Sequence, residues 1–236
     1  MRARSRPASD RSGPGLHDGD TRLVTFQILP YLLEGTWRAL QIFVLTLVFS
    51  IPLGIVVARL RQSTVRIIQL PVRFYLLIMR GTPLILQLIF FMYFPPFVLG
   101  IPIGRFSAVI LAFSLNYAAY FAEIFRGGLE SIPRGQFEAG HVLGFSSGQT
   151  FTRIVLPQVI KRILPPSASE AMTLVKDTAL AQIIGVAELF RAAQNSTSRL
   201  VSIEPIIAAG AIYLILNSLV ALVFSRFEKK LSYYRH

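Results

Sequence analysis

The chain contains no cysteine, which excludes disulfides, thiolate metal sites and cysteine nucleophiles together. Its three histidines, His17, His141 and His236, are scattered, and no set of metal ligands gathers around any of them. No Gly-x-x-x-x-Gly-Lys-Ser/Thr stretch occurs, so nucleotide phosphates cannot be cradled by a P-loop. No grouping of Asp, Glu, His or Ser has catalytic spacing, and no catalytic residue is assigned. Charge itself is scarce. Only 15% of the 236 residues are charged, against about 25% in an ordinary soluble domain.

What fills the chain instead is apolar: 53% of residues are hydrophobic and the mean hydropathy is +0.56. That composition predicts an all-α membrane protein. Runs near the roughly 20 residues a membrane helix needs occur at Ala39–Ala58, Pro71–Phe94, Phe106–Ala122, Pro165–Ala187 and Pro205–Ser225, giving about five spans. Leu23–Leu33 is short and amphipathic, and is expected to lie in the interface. Residues 1–22 are polar with scattered Pro and Gly, and read as a disordered tail without the apolar core of a signal peptide. The membrane domain is expected over 23–231, with 232–236 a short cytoplasmic tail.

The net charge of +12 could suggest nucleic acid, but position argues against it. The arginines and lysines fall mostly in short stretches between apolar runs, and no soluble domain carries a basic patch. Residues 59–73, 126–162 and 226–235 hold most of them. By the positive-inside bias these stretches are cytoplasmic, as is the C-terminus, and the N-terminus is external. The basic tail, with Arg2, Arg4, Arg6, Arg11 and Arg22, runs against that parity.

Between the third and fourth spans, residues 131–157 read as two short helices. Pro133 suits a first helical position, and Gly144 suits the left-handed residue that stops the first helix. Ser146 with Gln149 makes a capping box for the second, which Pro157 is expected to break. Glu138-Ala139-Gly140, then Gly144, then Ile154-x-Leu156-Pro157 resembles the cytoplasmic signature loop of permease subunits of binding-protein-dependent ABC importers. Gly140 departs from that pattern, which has a second Ala there; Gly costs up to about 1 kcal/mol in a helix interior, so looser or closer packing is expected.

Further segments resemble permeases for polar amino acids: Arg80-Gly81-Thr82-Pro83, the run from Tyr120 and Glu123 through Arg126-Gly127-Gly128 to Gly135-Gln136, Leu164-Pro165-Pro166 with Lys176-Asp177-Thr178, and Gly185-Val186-x-Glu188-Leu189. Ser169 and Ala179 stand where Asn and Ser are commoner in that family. The resemblance implies a type I importer permease fold and an inner-membrane location. It implies as partners a second permease copy or paralogue, two ATP-binding subunits and an external solute-binding protein. ATP and magnesium would sit on the partner ATPase, with no cofactor in this chain. Glu138, Ala139, Gly140, Gly144, Leu156 and Pro157 would couple to that ATPase. The carried solute would be a polar amino acid, with basic amino acids, opines, glutamine or glutamate, and cystine all open.

Two polar stripes run inside the spans. Asn116, Tyr120 and Glu123 share one helix face, and Glu170, Thr173 and Asp177 share another, with Lys176 alongside. A charge at mid-bilayer costs at least about 2.5 kcal/mol, so such groups face protein or water. Two roles are open for them. They line a path for a zwitterion, or Lys176 and Asp177 are neutralised by neighbours such as Glu123 or Arg80 and hold the bundle together. Other functional classes fit less well. An ion-coupled secondary carrier would usually have an internal repeat, and a membrane-embedded enzyme would need a catalytic cluster.

Overall fold

The structure, a computed structural model, describes residues 18–231, with side chains from residue 28 onward. Its helices are α1 (Asp18–Arg61), α2 (Arg66–Gly81), α3 (Leu84–Leu99), α4 (Arg105–Glu130), α5 (Arg134–Val142), a single turn α6 (Ser147–Thr150), α7 (Leu156–Asp177), α8 (Leu189–Leu200) and α9 (Glu204–Leu231). A π-turn over Phe151–Val155 joins α6 to α7, and a 3₁₀ segment over Thr178–Ile184 prolongs α7. No strand occurs among the described residues.

The hub is α4. Val109, Phe113, Tyr117 and Phe121 recur every four residues, so they share one face, and none is more than 2% exposed. They join one cluster with Ile42 of α1, Leu88 of α3 and Leu174 of α7. α1 lies along α4, and Gly54 lets the two backbones approach: a Cβ there would meet Phe121 Cβ at 2.9 Å. α9 is peripheral. It buries only Pro205 and Ala209, leaving Leu214, Leu219 and Leu222 exposed.

Several expected boundaries move. α1 already begins at Asp18, so 18–22 are helix and not tail, whereas 1–17 and 232–236 lie outside the described residues. Leu23–Leu33 is no separate interfacial segment either. It continues α1 through Pro30, and Leu32 is buried against Leu189 and Ala192 of α8. Once a helix is nucleated, extending it costs little, so the polar turns before the apolar run join it.

The expected span Pro71–Phe94 is two helices, α2 and α3, bent by 114°. Pro83 causes the break. It restricts the residue before it to extended backbone, and Thr82 has φ −118 and ψ +148. The expected span Pro165–Ala187 starts earlier, at Leu156, and ends at Asp177. Pro165 and Pro166 sit inside α7, and Pro157 breaks nothing because it falls in the first turn of α7, directly after the π-turn, where its missing N–H is tolerated. By length and apolarity, Ile28–Arg61, α4 and α9 can each cross a membrane, and α2 with α3 passes the same test only as one bent pair, a broken span or a re-entrant loop. α7 is too polar to count as a span by that measure, but it is roughly 33 Å long at 1.5 Å per residue and packs against α4 and α9.

Candidate functional site

The two stripes expected from spacing meet in space. A cavity of about 320 Å³ lies between α4, α7 and the α2–α3 break, walled by Asn116, Tyr117 and Tyr120, by Glu170, Thr173 and Asp177, and by Thr82, Pro83 and Leu84. The Tyr117 hydroxyl donates to Asp177 Oδ2 at 2.8 Å. Neither Glu170 nor Asp177 forms an ion pair among the described residues. The Arg80 guanidinium stands 5.5 Å from the centroid of the Tyr120 ring, a cation–π distance.

Asn116 has a second task. Its Nδ2 donates to Met79 O and to Gln87 Oε1, both at 2.9 Å. Gln87 Nε2 in turn donates to Met79 O at 3.0 Å, Thr82 O at 3.2 Å and Thr82 Oγ1 at 2.9 Å. The carbonyls at the end of α2 have no intrahelical partner, and these two buried amides supply one. The polar floor of the cavity is thus also the clasp of the α2–α3 break.

Glu123 lies outside the cavity walls. Its carboxylate pairs with Arg126 at 2.7 Å, Arg80 at 3.7 Å and Arg61 at 3.9 Å, and Arg126 also holds Glu130. Lys176 is exposed and likewise takes no part in the walls. Of the six expected path residues, the structure gathers Asn116, Tyr120, Thr173 and Asp177 and leaves Glu123 and Lys176 apart. It adds Tyr117 and Glu170. Tyr117 sits on the apolar face of α4, where only the need of a buried hydroxyl for a partner could have flagged it.

The 131–157 loop is a hairpin of two short helices, α5 and α6. Ser146 Oγ accepts from Gln149 N at 3.3 Å and Gln149 Oε1 accepts from Ser146 N at 2.9 Å, completing the capping box. Gly144 has φ +78. Gly140 is buried, and a Cβ there would meet Thr150 Cγ2 and Oγ1 at 2.5 Å, so the departure from Ala reflects close apposition of α5 to the next turn. Arg162 donates to Ser131 O, and Ile132, Val155 and Val159 form a small core beneath the hairpin. Glu138, Ala139 and Gly144 face outward, beside Val142 and Leu143 at 87% and 69% exposure. Leu156 and Pro157 are half-buried in the helix that follows.

A family profile described as binding-protein-dependent transport system inner membrane component matches residues 50–233. The chain belongs to this family. It is 36% identical over 208 residues to an arginine transport system permease protein of Bacillus subtilis (strain 168), covering 88% of this chain and 95% of that one. It is 37% identical over 217 residues to an L-cystine transport system permease protein of the same organism, covering 90% and 91%. A crystal structure of an amino acid ABC transporter with histidines contains a chain that superposes with a TM-score of 0.80 at 31% identity, covering 88% and 97%. As an inner membrane component of such a system, the chain is multi-pass, and the matched region takes in both the cavity and the hairpin while leaving most of α1, up to residue 49, outside.

Proposed function

We propose that this chain is the transmembrane subunit of an ATP-driven importer and that a polar amino acid crosses the inner membrane through the Asn116–Tyr120–Thr173–Asp177 cavity. The relatives named above are permeases for arginine and cystine, which supports an amino acid as cargo. The single observation that carries the reading is the cavity itself, polar on two helices inside an otherwise apolar bundle. Such polarity is costly in a membrane and marks solute paths.

The charge of the walls narrows the cargo. Glu170 and Asp177 bring two carboxylates without an ion pair among the described residues, which suits an amino acid with a cationic side chain. Arg80, over Tyr120 and 3.7 Å from Glu123, is placed to meet the carboxylate end of the same solute. The hairpin supports the rest. Glu138, Ala139, Gly140 and Gly144, with Leu156 and Pro157 at its base, dock on a separate ATPase that binds ATP and magnesium, and Val142 and Leu143 are apolar anchors for that contact. A second copy or paralogue completes the pathway, two ATP-binding subunits drive it, and an external solute-binding protein delivers the cargo. The hairpin and C-terminus are cytoplasmic and the N-terminus external.

Asp177→Asn and Glu170→Gln, each in the reconstituted importer, test the cargo. A hydrogen bond to a charged group is worth about 1.5–3 kcal/mol, and one decade corresponds to about 1.4 kcal/mol. Arginine uptake per complex is therefore expected to fall at least tenfold in either variant, with glutamine uptake changed far less. Equal effects on both cargoes would remove the charge argument. No effect on either would remove the cavity from the path.

A further inference from the structure

A second cavity, of about 100 Å³, lies between α1, α7 and α9 and shares no residue with the polar one. Leu40 and Phe43 of α1, Val175 of α7, and Leu216 and Val220 of α9 help to wall it. Its one polar side chain is Thr178, whose hydroxyl already donates to Val175 O at 2.8 Å. A cavity without free polar partners stays dry and takes an apolar guest. Inside a bilayer the abundant apolar guest is an acyl chain.

The two cavities stand on opposite sides of one helix end. Thr173 and Asp177 wall the polar cavity, and Val175, midway between them, walls the apolar one. Residues two apart on a helix point to nearly opposite sides. Asp177 is also where α7 gives way to the 3₁₀ segment, whose hydrogen bonds are poorer than those of an α-helix. Whatever fills the apolar cavity therefore bears on the back of the wall that carries Asp177.

The course of α9 supplies a second, independent observation. Tyr213 bonds Glu188 beyond the 3₁₀ segment, whereas Leu216 and Val220 meet Val175, so α9 runs back along α7. Its last turns carry Arg226, Lys229 and Lys230, all exposed, with Glu228 as the one acid among them. Lys230 lies ten residues past Val220, roughly 15 Å along the helix. That is one leaflet's share of a hydrocarbon core about 30 Å thick. A lipid held by its headgroup at this basic end has its chain terminus level with the cavity.

We propose that the α1–α7–α9 cavity and the basic end of α9 form one binding site for an anionic phospholipid of the inner leaflet. Its phosphate sits among Arg226, Lys229 and Lys230, and its chain end fills the cavity and braces Asp177 from behind. Basic residues at the cytoplasmic end of a span attract anionic headgroups, and each methylene withdrawn into an apolar cleft adds to the hold. The inference rests on the import function and topology proposed above for the leaflet and for the effect on uptake, whereas binding is measured apart from both.

The test titrates the whole importer, delipidated in detergent, with dioleoyl phosphatidylglycerol and counts retained lipid by native mass spectrometry. Dioleoyl phosphatidylcholine, which has no net charge, and dihexanoyl phosphatidylglycerol, too short to reach the cavity, are each expected to bind at least about tenfold more weakly. Arg226→Gln with Lys229→Gln and Lys230→Gln should abolish the preference for phosphatidylglycerol. Val220→Phe, which fills the cavity with a side chain, should abolish the preference for long chains; Leu216→Phe does the same should that variant fail to assemble. Either preference surviving its variant overturns the proposal. Val220→Cys, the single thiol in this cysteine-free chain, should stay reduced under oxidising conditions. A disulfide between two copies would put a second copy over the groove and overturn the site.

In proteoliposomes, arginine uptake per parent complex should be severalfold higher in equal parts phosphatidylcholine and phosphatidylglycerol than in phosphatidylcholine alone. Val220→Phe meets the same surface charge and should transport equally in both. Equal uptake by the parent overturns the bracing role. Lipid retained with the expected charge and chain dependence, but no import in either membrane, sinks the import reading and leaves the site standing. Normal import with no lipid retained sinks the site alone.

Discussion

Glu123 holds three guanidinium groups within reach of one carboxylate, Arg126 at 2.7 Å, Arg80 at 3.7 Å and Arg61 at 3.9 Å, on three different helices. Its side chain is 18% exposed, so screening by water is partial. Neutralising it leaves three cations facing one another, and breaking such a cluster is costly because the remaining charges stay half-buried and unpaired. Glu123→Gln is therefore expected to lower the amount of assembled complex several-fold while uptake per assembled complex stays within about twofold. Quantifying complex and uptake side by side checks this, and a tenfold fall per complex would return Glu123 to the solute path. The i, i+4, i+7 spacing of Asn116, Tyr120 and Glu123 identifies their shared face correctly. It carries no information about depth, and only packing reveals that Arg61 and Arg80 reach the same height as Glu123. Tyr117 illustrates the complementary gap, since its partner Asp177 is 60 positions away.

At the scale of elements, the α2–α3 break depends on two amides. Gln87 closes Met79 O, Thr82 O and Thr82 Oγ1, and Asn116 binds both Met79 O and Gln87. Gln87 is 5% exposed, so no water replaces it readily. Gln87→Leu keeps the volume but removes the donor to Thr82 and leaves the buried Asn116 amide without its Gln87 partner, at a cost of about 1–3 kcal/mol for a buried group left unsatisfied. A lower Tm of the detergent-solubilised protein is expected, together with greater protease sensitivity at Thr82–Pro83; an unchanged Tm would show that the clasp is dispensable. The signals for this break stand in the sequence: one Pro in mid-run and one amide among aliphatics. Composition hides them, because an apolar run over Pro71–Phe94 is long enough to cross either straight or bent. The hairpin was more legible because its chemistry is local. A capping box and a left-handed glycine are decided within four residues, whereas Pro157 breaks the helix or not according to where α7 starts. Gly140 owes its lack of a side chain to Thr150, ten positions on and packed against it, a contact that local spacing does not encode.

At the scale of the whole molecule, an all-helical membrane fold with about five spans follows from composition and run length, and the order of helices follows with it. Their arrangement does not. That α4 is the hub and α9 the rim is a matter of which apolar faces bury each other, and lipid-facing and protein-facing leucines look alike in sequence. The placement of α7 has a consequence of a different kind. It brings Glu170 and Asp177 into the interior with no ion pair of their own among the described residues, so the cavity is suited to carry a cation that arrives from outside. Every turnover with a monovalent cationic amino acid then moves one positive charge into the cell. The membrane voltage contributes about 2.3 kcal/mol per charge for each 100 mV, and transport becomes electrogenic. In proteoliposomes clamped with potassium and valinomycin, arginine accumulation should rise as the compartment receiving it is made more negative. Glutamine accumulation should be indifferent to voltage.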